Sequence, residues 1–179
     1  MININNAEVK LFNEIDSTNS AAREHLNIIG EISDPIWFRA KKQTKGRGRN
    51  KNNWVSEEGN LFTTLLTPLS WKLNIIPMLS CVIAVSIHQS VNSFLDNQNP
   101  LKIKWPNDIL FENSKLSGVL IENQLNGDNK FSIIGIGVNI ISSPENLDHQ
   151  TASLNDLHNS LTCFELTIFL EKRIKPKGK

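Results

Sequence analysis

Apolar residues recur along this chain with two periods, and the switches between them predict its elements. Residues 9–15 read as a strand, and the polar cluster Asp16-Ser17-Thr18-Asn19 supplies helix-capping residues ahead of 21–26, where Ala21, Ala22 and Leu26 share a helical face. Two further apolar runs, 36–40 after Pro35 and 61–69, rich in Thr, Leu and Phe, predict strands on either side of a polar segment. The longest helical pattern covers 73–95, with Pro77 in its first turn and Leu79, Val82, Ile83, Ile87, Val91 and Leu95 among its apolar positions. Past Pro100 the period falls to two. Residues 101–105 predict a strand, Pro106-Asn107-Asp108 a turn, and 109–111 and 115–122 two more strands, while Asn126-Gly127 signals a hairpin into 131–141. A capping box at Thr162-Cys163-Phe164-Glu165 opens a last amphipathic run, 166–174, before a frayed tail at 176–179. Three helical patterns among short strands predict an α+β fold with a mostly antiparallel meander.

Composition narrows the function classes. The chain has 179 residues, which fits one domain large enough for a real core. With 19 Lys and Arg against 18 Asp and Glu the net charge is +1, so no overall field draws the protein to nucleic acid or to an anionic membrane, and any anion site must be local. Cys81 and Cys163 lie in apolar runs without zinc or disulfide spacing and read as buried thiols of a reducing compartment. The four histidines, His25, His88, His149 and His158, are isolated in sequence, and His88 reads as structural. With no signal-peptide pattern and no apolar run of about 18 residues, a cytoplasmic location is expected.

The local anion site is sought in the polar segment Gln43-Thr44-Lys45-Gly46-Arg47-Gly48-Arg49-Asn50-Lys51-Asn52-Asn53-Trp54. Gly46 and Gly48 can take positive φ and let main-chain N–H groups approach an anion, and Arg47 and Arg49 carry planar forks that match phosphate or carboxylate oxygens. A solvated loop would have the same composition. The hydroxyls of Ser17 and Thr18 likewise serve either to cap the helix or to face a ligand.

Five blocks then combine in order: Asp16-Ser17-Thr18-Asn19; Gln43 with Gly46-Arg47-Gly48-Arg49 and Trp54; Lys104-Trp105-Pro106-Asn107-Asp108; 115–122, Lys-Leu-Ser-Gly-Val-Leu-Ile-Glu; and Ile134-Gly135-Ile136-Gly137-Val138-Asn139. From Ile15 to about Leu157 the chain resembles the biotin protein ligases (biotin–[acetyl-CoA-carboxylase] ligases), most specifically in the third and fourth blocks. The resemblance implies a biotin/lipoate ligase-like catalytic domain, related to class II aminoacyl-tRNA synthetases, over 1–175: a central mixed, mostly antiparallel sheet with helices on one side. It implies a two-step reaction. Biotin and MgATP give biotinyl-5′-AMP and pyrophosphate, and the acyl group then passes to a lysine of the biotin carboxyl carrier protein of acetyl-CoA carboxylase.

Site roles follow from the resemblance. Biotin falls to Ser17, Thr18, Asn19, Gln43, Gly46, Arg47, Lys115 and Gly118, and the adenylate to Arg47, Arg49, Trp54, Lys104, Trp105, Asn107 and Asn139. Lys115, Arg49 and Asp108 are the catalytic candidates. Mg²⁺ enters with the ATP phosphates, and Asp108 either helps to hold it or orients the incoming lysine. Read singly, Asn107 and Asp108 are turn formers, Gly135 and Gly137 close-packing or bulge glycines, and Lys115 a hairpin residue. The chain departs from the family at Asn50-Lys51-Asn52-Asn53, where many members repeat Gly-Arg. Neither a DNA-binding winged helix nor a C-terminal SH3-like barrel is expected, nor is nucleic-acid or membrane binding, while a homodimer is compatible with the resemblance. The rival readings are a biotin-binding pseudoenzyme and a lipoate or octanoate transferase of the same fold.

Overall fold

Strand Glu8–Ile15 (β1) is followed by helix Thr18–Ile29 (α1), which carries the chain back so that Ile36–Gln43 (β2) pairs with β1 in parallel. The later strands pair antiparallel: Leu61–Pro68 (β3), then, after helix Ile76–Asn92 (α2), Leu101–Lys104 (β4), Asp108–Phe111 (β5), Ser114–Asn126 (β6) and Asn129–Val138 (β7). They form one seven-stranded sheet in the order β1-β2-β3-β7-β6-β5-β4, mixed and mostly antiparallel, as expected. The computed structural model describes residues 7–69, 76–95, 101–145 and 150–157. The capping box at 162–165, the helix at 166–174, the tail, Cys163, His149 and His158 lie outside the described residues.

Side-chain alternation assigns each strand residue to one of two cores. Trp37, Leu61, Leu65, Ile134, Ile136, Val138 and Val119 meet Leu79, Ile83, Ala84, Ile87 and Val91 of α2. Their strand neighbours Ile36, Phe38, Leu66, Phe131 and Ile133 point the other way, onto Ala22 and Leu26 of α1. The two described helices therefore cover opposite faces, and the expectation of helices on one side is corrected. Ile87 is fully buried, so its replacement by Ala removes about 2–5 kcal/mol of stability. Among the described residues no helix is long and apolar enough to cross a membrane.

The helix α1 is shorter than the sheet face it lies on, and its ends leave room for a site. Gly30, at φ 85°, ends it by donating its N–H to Leu26 O at 2.9 Å. At the other end Ser17 is extended in the N-cap position but makes no side-chain capping bond, and both Ser17 and Thr18 are buried. The hydroxyls predicted as caps or ligand contacts are not used as caps.

Candidate active site

Pairing register places two rows of residues across four strands on the α1 face. One row is Ala40, Phe62, Gly137 and Gly118, and the next is Phe38, Thr64, Gly135 and Leu120. The glycines are where other parts of the chain come closest. A Cβ at Gly137 would lie 2.6 Å from the Trp54 ring, and one at Gly135 only 2.3 Å from Asn19 Oδ1. Both are close-approach glycines. Over these rows opens a cleft of about 270 Å³.

At the α1 end of the cleft the polar groups bond to one another. Gln43 Oε1 accepts from the Thr18 N–H at 2.8 Å and from Thr18 Oγ1 at 3.1 Å, while Gln43 Nε2 donates to Ser56 Oγ at 2.9 Å. Thr64 Oγ1 lies 2.8 Å from Thr18 Oγ1 and 2.6 Å from Asn19 Oδ1. Asn19 Nδ2 donates to Glu122 Oε2 at 2.8 Å.

The Gly-Arg loop closes on itself as a small hairpin, with Arg47 bridged to Asn53, Gly48 N–H donated to Asn52 O at 2.7 Å and Trp54 N–H to Gly46 O at 2.9 Å. Neither of its glycines has the positive φ expected of them. The left-handed residue is Asn50 (φ 55°, ψ 32°), inside the 3-10 turn Arg49–Lys51, a conformation that Asn tolerates better than most residues. Gly46 is required for space instead, because a Cβ there would lie 2.3 Å from Trp54 O. Two side chains tie the loop to the rest of the domain: Arg47 to Glu122 at 3.2 and 3.3 Å, and Arg49 Nη1 to Asn107 Oδ1 at 2.8 Å.

Lys115, at the start of β6, has its Nζ 2.9 Å from Asp108 Oδ1 and 5.5 Å from the centre of the Trp54 ring. The sequence-level alternative, an exposed hairpin lysine, is therefore set aside: its side chain is about one-fifth exposed, as is that of Asp108. At the far end Asn107 is fully engaged, since its Nδ2 also donates to Val119 O at 2.9 Å. Asn139 donates to Lys115 O at 3.4 Å and Ala152 O at 3.1 Å, whereas its buried Oδ1 has no hydrogen-bond partner among the described residues. Asn60 holds the adjoining segment by accepting the N–H groups of Ile140, Ile141 and Ser142.

Of the residues predicted from sequence, all but Gly46, Lys104 and Trp105 line the cleft. Gly46 lies behind it. Lys104 and Trp105 sit at the β4–β5 turn, where Trp105 is 73% exposed, so the expectation of Trp105 as an apolar wall is not met in this arrangement. Among the described residues no three His, Cys, Asp or Glu side chains cluster to hold a metal, and Asp108 is occupied by Lys115. The described residues thus offer no ligand set for Mg²⁺ of their own. His88 bonds to Leu101 O at 3.3 Å, a packing role. Sequence reasoning assigned nothing to Thr64, Ser56, Asn60 or Glu122. Glu122 had a readable signal, because it continues the period-two face of Gly118 and Leu120.

The geometry has counterparts in known proteins. The biotin/lipoate A/B protein ligase family matches residues 11–139. The chain is 38% identical over 150 residues to the bifunctional ligase/repressor BirA of Bacillus subtilis (strain 168), covering 83% of this chain and 44% of that protein. To the biotin–[acetyl-CoA-carboxylase] ligase of Paracoccus denitrificans it is 33% identical over 131 residues, 73% of this chain and 53% of that one. It spans about half the length of these relatives. Among solved structures, biotin protein ligase from Leishmania major in complex with biotinyl-5-AMP superposes with a TM-score of 0.79 at 26% identity, covering 93% of this chain and 72% of that chain. The Aquifex aeolicus enzyme in complex with biotin and ATP gives 0.72 at 28%, covering 93% and 68%. Since the family match runs from β1 to just past β7, over more than half of its residues, the chain belongs to the biotin/lipoate A/B protein ligase family.

Proposed function

We propose that this cleft binds biotin and ATP, forms biotinyl-5′-AMP and passes biotin to a lysine of a biotin carboxyl carrier protein, that of acetyl-CoA carboxylase being the reading favoured by the Paracoccus relative. The observation that carries it is the position of Lys115. Its ammonium stands beside the Gly118–Gly137 row, one row along the strands from the polar end at Thr64 and Gly135, roughly 7 Å at two residues of strand rise. A ligand with a polar head and a carboxylate tail fits that layout.

The first step needs cations. A carboxylate oxygen attacks the α-phosphorus of ATP, the new O–P bond forms as the bond to the β-phosphate oxygen breaks, and pyrophosphate leaves with its charge. Lys115 and Arg49 offset the charge that builds on the phosphoryl oxygens. At about 4 Å such a pairing is worth ~1 kcal/mol in water but ~4 kcal/mol at an effective dielectric of 20, so the loop that covers the cleft matters as much as the charges. Mg²⁺ would arrive on the ATP phosphates and supply further Lewis-acid neutralisation there. In the second step the carrier lysine's amine attacks the acyl carbon, a C–N bond forms and AMP leaves. Asn139 Oδ1, a buried acceptor without a partner among the described residues, suits the amino group of adenine.

The head end favours biotin over lipoate. Its groups are hydrogen-bonding oxygens and amides, which a ureido ring can answer and a dithiolane cannot, and buried partners left unpaired disfavour the wrong ring. Use of ATP fits a cytoplasmic location. The test is biotin-dependent ATP–pyrophosphate exchange with lipoate as competitor. Exchange that needs biotin and ignores lipoate is expected; biotin binding without exchange would leave a binding protein rather than a ligase.

A further inference from the structure

Glu122 lies outside the cleft lining, in a second recess on the outer side of the Gly-Arg loop, so it acts on bound ligand only through its partners. Those partners come from two other elements. Oε1 accepts from Arg23 Nη2 at 2.7 Å and Arg47 Nη1 at 3.3 Å, and Oε2 from Asn19 Nδ2 at 2.8 Å and Arg47 Nη2 at 3.2 Å. An ionised carboxylate only accepts, which decides how the Asn19 amide is turned. Its NH₂ must face Glu122, and its Oδ1 must therefore face Thr64 and the floor at Gly135. Thr64 has one proton. If it donates to Asn19, it can only accept from Thr18, whose single proton then leaves Gln43 Oε1 with the Thr18 N–H and a lone pair free to accept.

We propose that Glu122 is a positioning residue that fixes the hydrogen-bond polarity of the head end, so that the site accepts hydrogen bonds from ring N–H groups. This rests on the biotin reading. Two guanidinium groups hold the carboxylate in place, Arg23 from α1 and Arg47 from the loop, the second of which also lines the cleft. Removing the charge then has a definite structural outcome. In Glu122→Gln the amide oxygen keeps Arg23 Nη2 and Arg47 Nη1, its NH₂ turns to Asn19 at the cost of the Arg47 Nη2 bond in the single and double variants alike, and the Asn19 amide flips to place a donor where an acceptor stood.

The swap can be made and reversed. Glu122→Gln lowers biotin affinity by about tenfold, as expected for one buried donor facing another. It also lowers the preference for biotin over cyclic carbamates in which either ring N–H is replaced by oxygen. Asn19→Asp sets two carboxylates face to face and is also impaired. The double variant Asn19→Asp with Glu122→Gln restores an acceptor on both sides of residue 19, since the amide introduced at position 122 then donates to it, and brings both affinity and preference back to within about threefold of the unsubstituted chain. Calorimetric titration of the four proteins with biotin and the carbamates, beside their melting temperatures, reads this out. Restoration in the double variant supports the proposal. Additive losses, or an unchanged preference in Glu122→Gln, overturn it while leaving the biotin reading intact, and failure of the unsubstituted chain to bind biotin overturns both. Should a single variant not fold, the double variant decides alone.

Discussion

Around Thr18 and Gln43, side chains from α1, β2, β3 and Ser56 bond to one another over a floor of glycines, whereas at Asn139 the amide nitrogen is spent on two carbonyls and the oxygen is buried without a partner among the described residues. The first end is assembled before a ligand arrives. The second holds back an acceptor that no described residue satisfies. On the proposed function, such an arrangement would put rigidity where a small polar ring must be told from its analogues, and would leave unspent interaction energy for a nucleotide. Lys115 joins the two, since its main chain is tied to Gln150 and Ala152 at the far end while its ammonium reaches the glycine rows.

The comparison is broken most completely at that junction. Lys115→Met removes the charge but keeps the length, and pyrophosphate exchange falls by about 10²- to 10³-fold in a folded protein whose melting temperature drops only by what the ion pair with Asp108 contributed. Unchanged exchange would remove Lys115 from the chemistry. At the assembled end, Gly135→Ala drives a methyl into Asn19 Oδ1, and overpacking of about 1–3 kcal/mol lowers biotin affinity by roughly 5- to 150-fold in calorimetry. ATP binding to the same variant stays within about twofold, which separates the two ends. At the other end Asn139→Ala exposes the mismatch in reverse. Two carbonyls lose their donor, stability falls by about 1–3 kcal/mol in denaturant unfolding, and affinity for ATP drops more than affinity for biotin.

The smallest effect lies beside the assembled end, on α1. The His25 imidazole has its pKa lowered from the usual 6.5, first by burial and then by the Lys10 ammonium, with Glu8 opposing. The fold therefore favours neutral His25. The unfolded chain binds the proton more readily, so this contribution is fully present above pH 6.5 and is lost as pH falls through the lower folded value. An NMR titration of the His25 ring should show a midpoint below 6.5; a midpoint at or above it would reverse the sign.

Thr18, Gln43 and Lys115 were legible because each sits in a block where ligand chemistry and local structure demand the same residue type. The strands and both described helices were legible for a related reason, as their apolar periods match the two cores. What escaped depended on tertiary contacts. No local rule says that Asn50 rather than Gly48 takes the left-handed turn, because that is set by how Arg47 pairs with Asn53. Nor could the sequence show that Trp105 faces outward while Trp54 lies on glycine, since both are aromatic residues in polar turns. Thr64 reads as an ordinary strand residue until register puts it beside Asn19.

The place of β7 in the sheet has a consequence for how the molecule is made. Among the described residues it is the last strand of the sheet in sequence, yet it lies between β3 and β6. Until residues 129–138 have left the ribosome, β3 and β6 each present an open edge, and the glycine floor does not exist. The β6–β7 hairpin closes locally, but the pairing of Leu61 with Val138 spans a long stretch of the chain. During synthesis this protein therefore passes through a stage in which two apolar edges wait for one partner, the situation in which chains pair with each other, and where early contact with a chaperone is of most use.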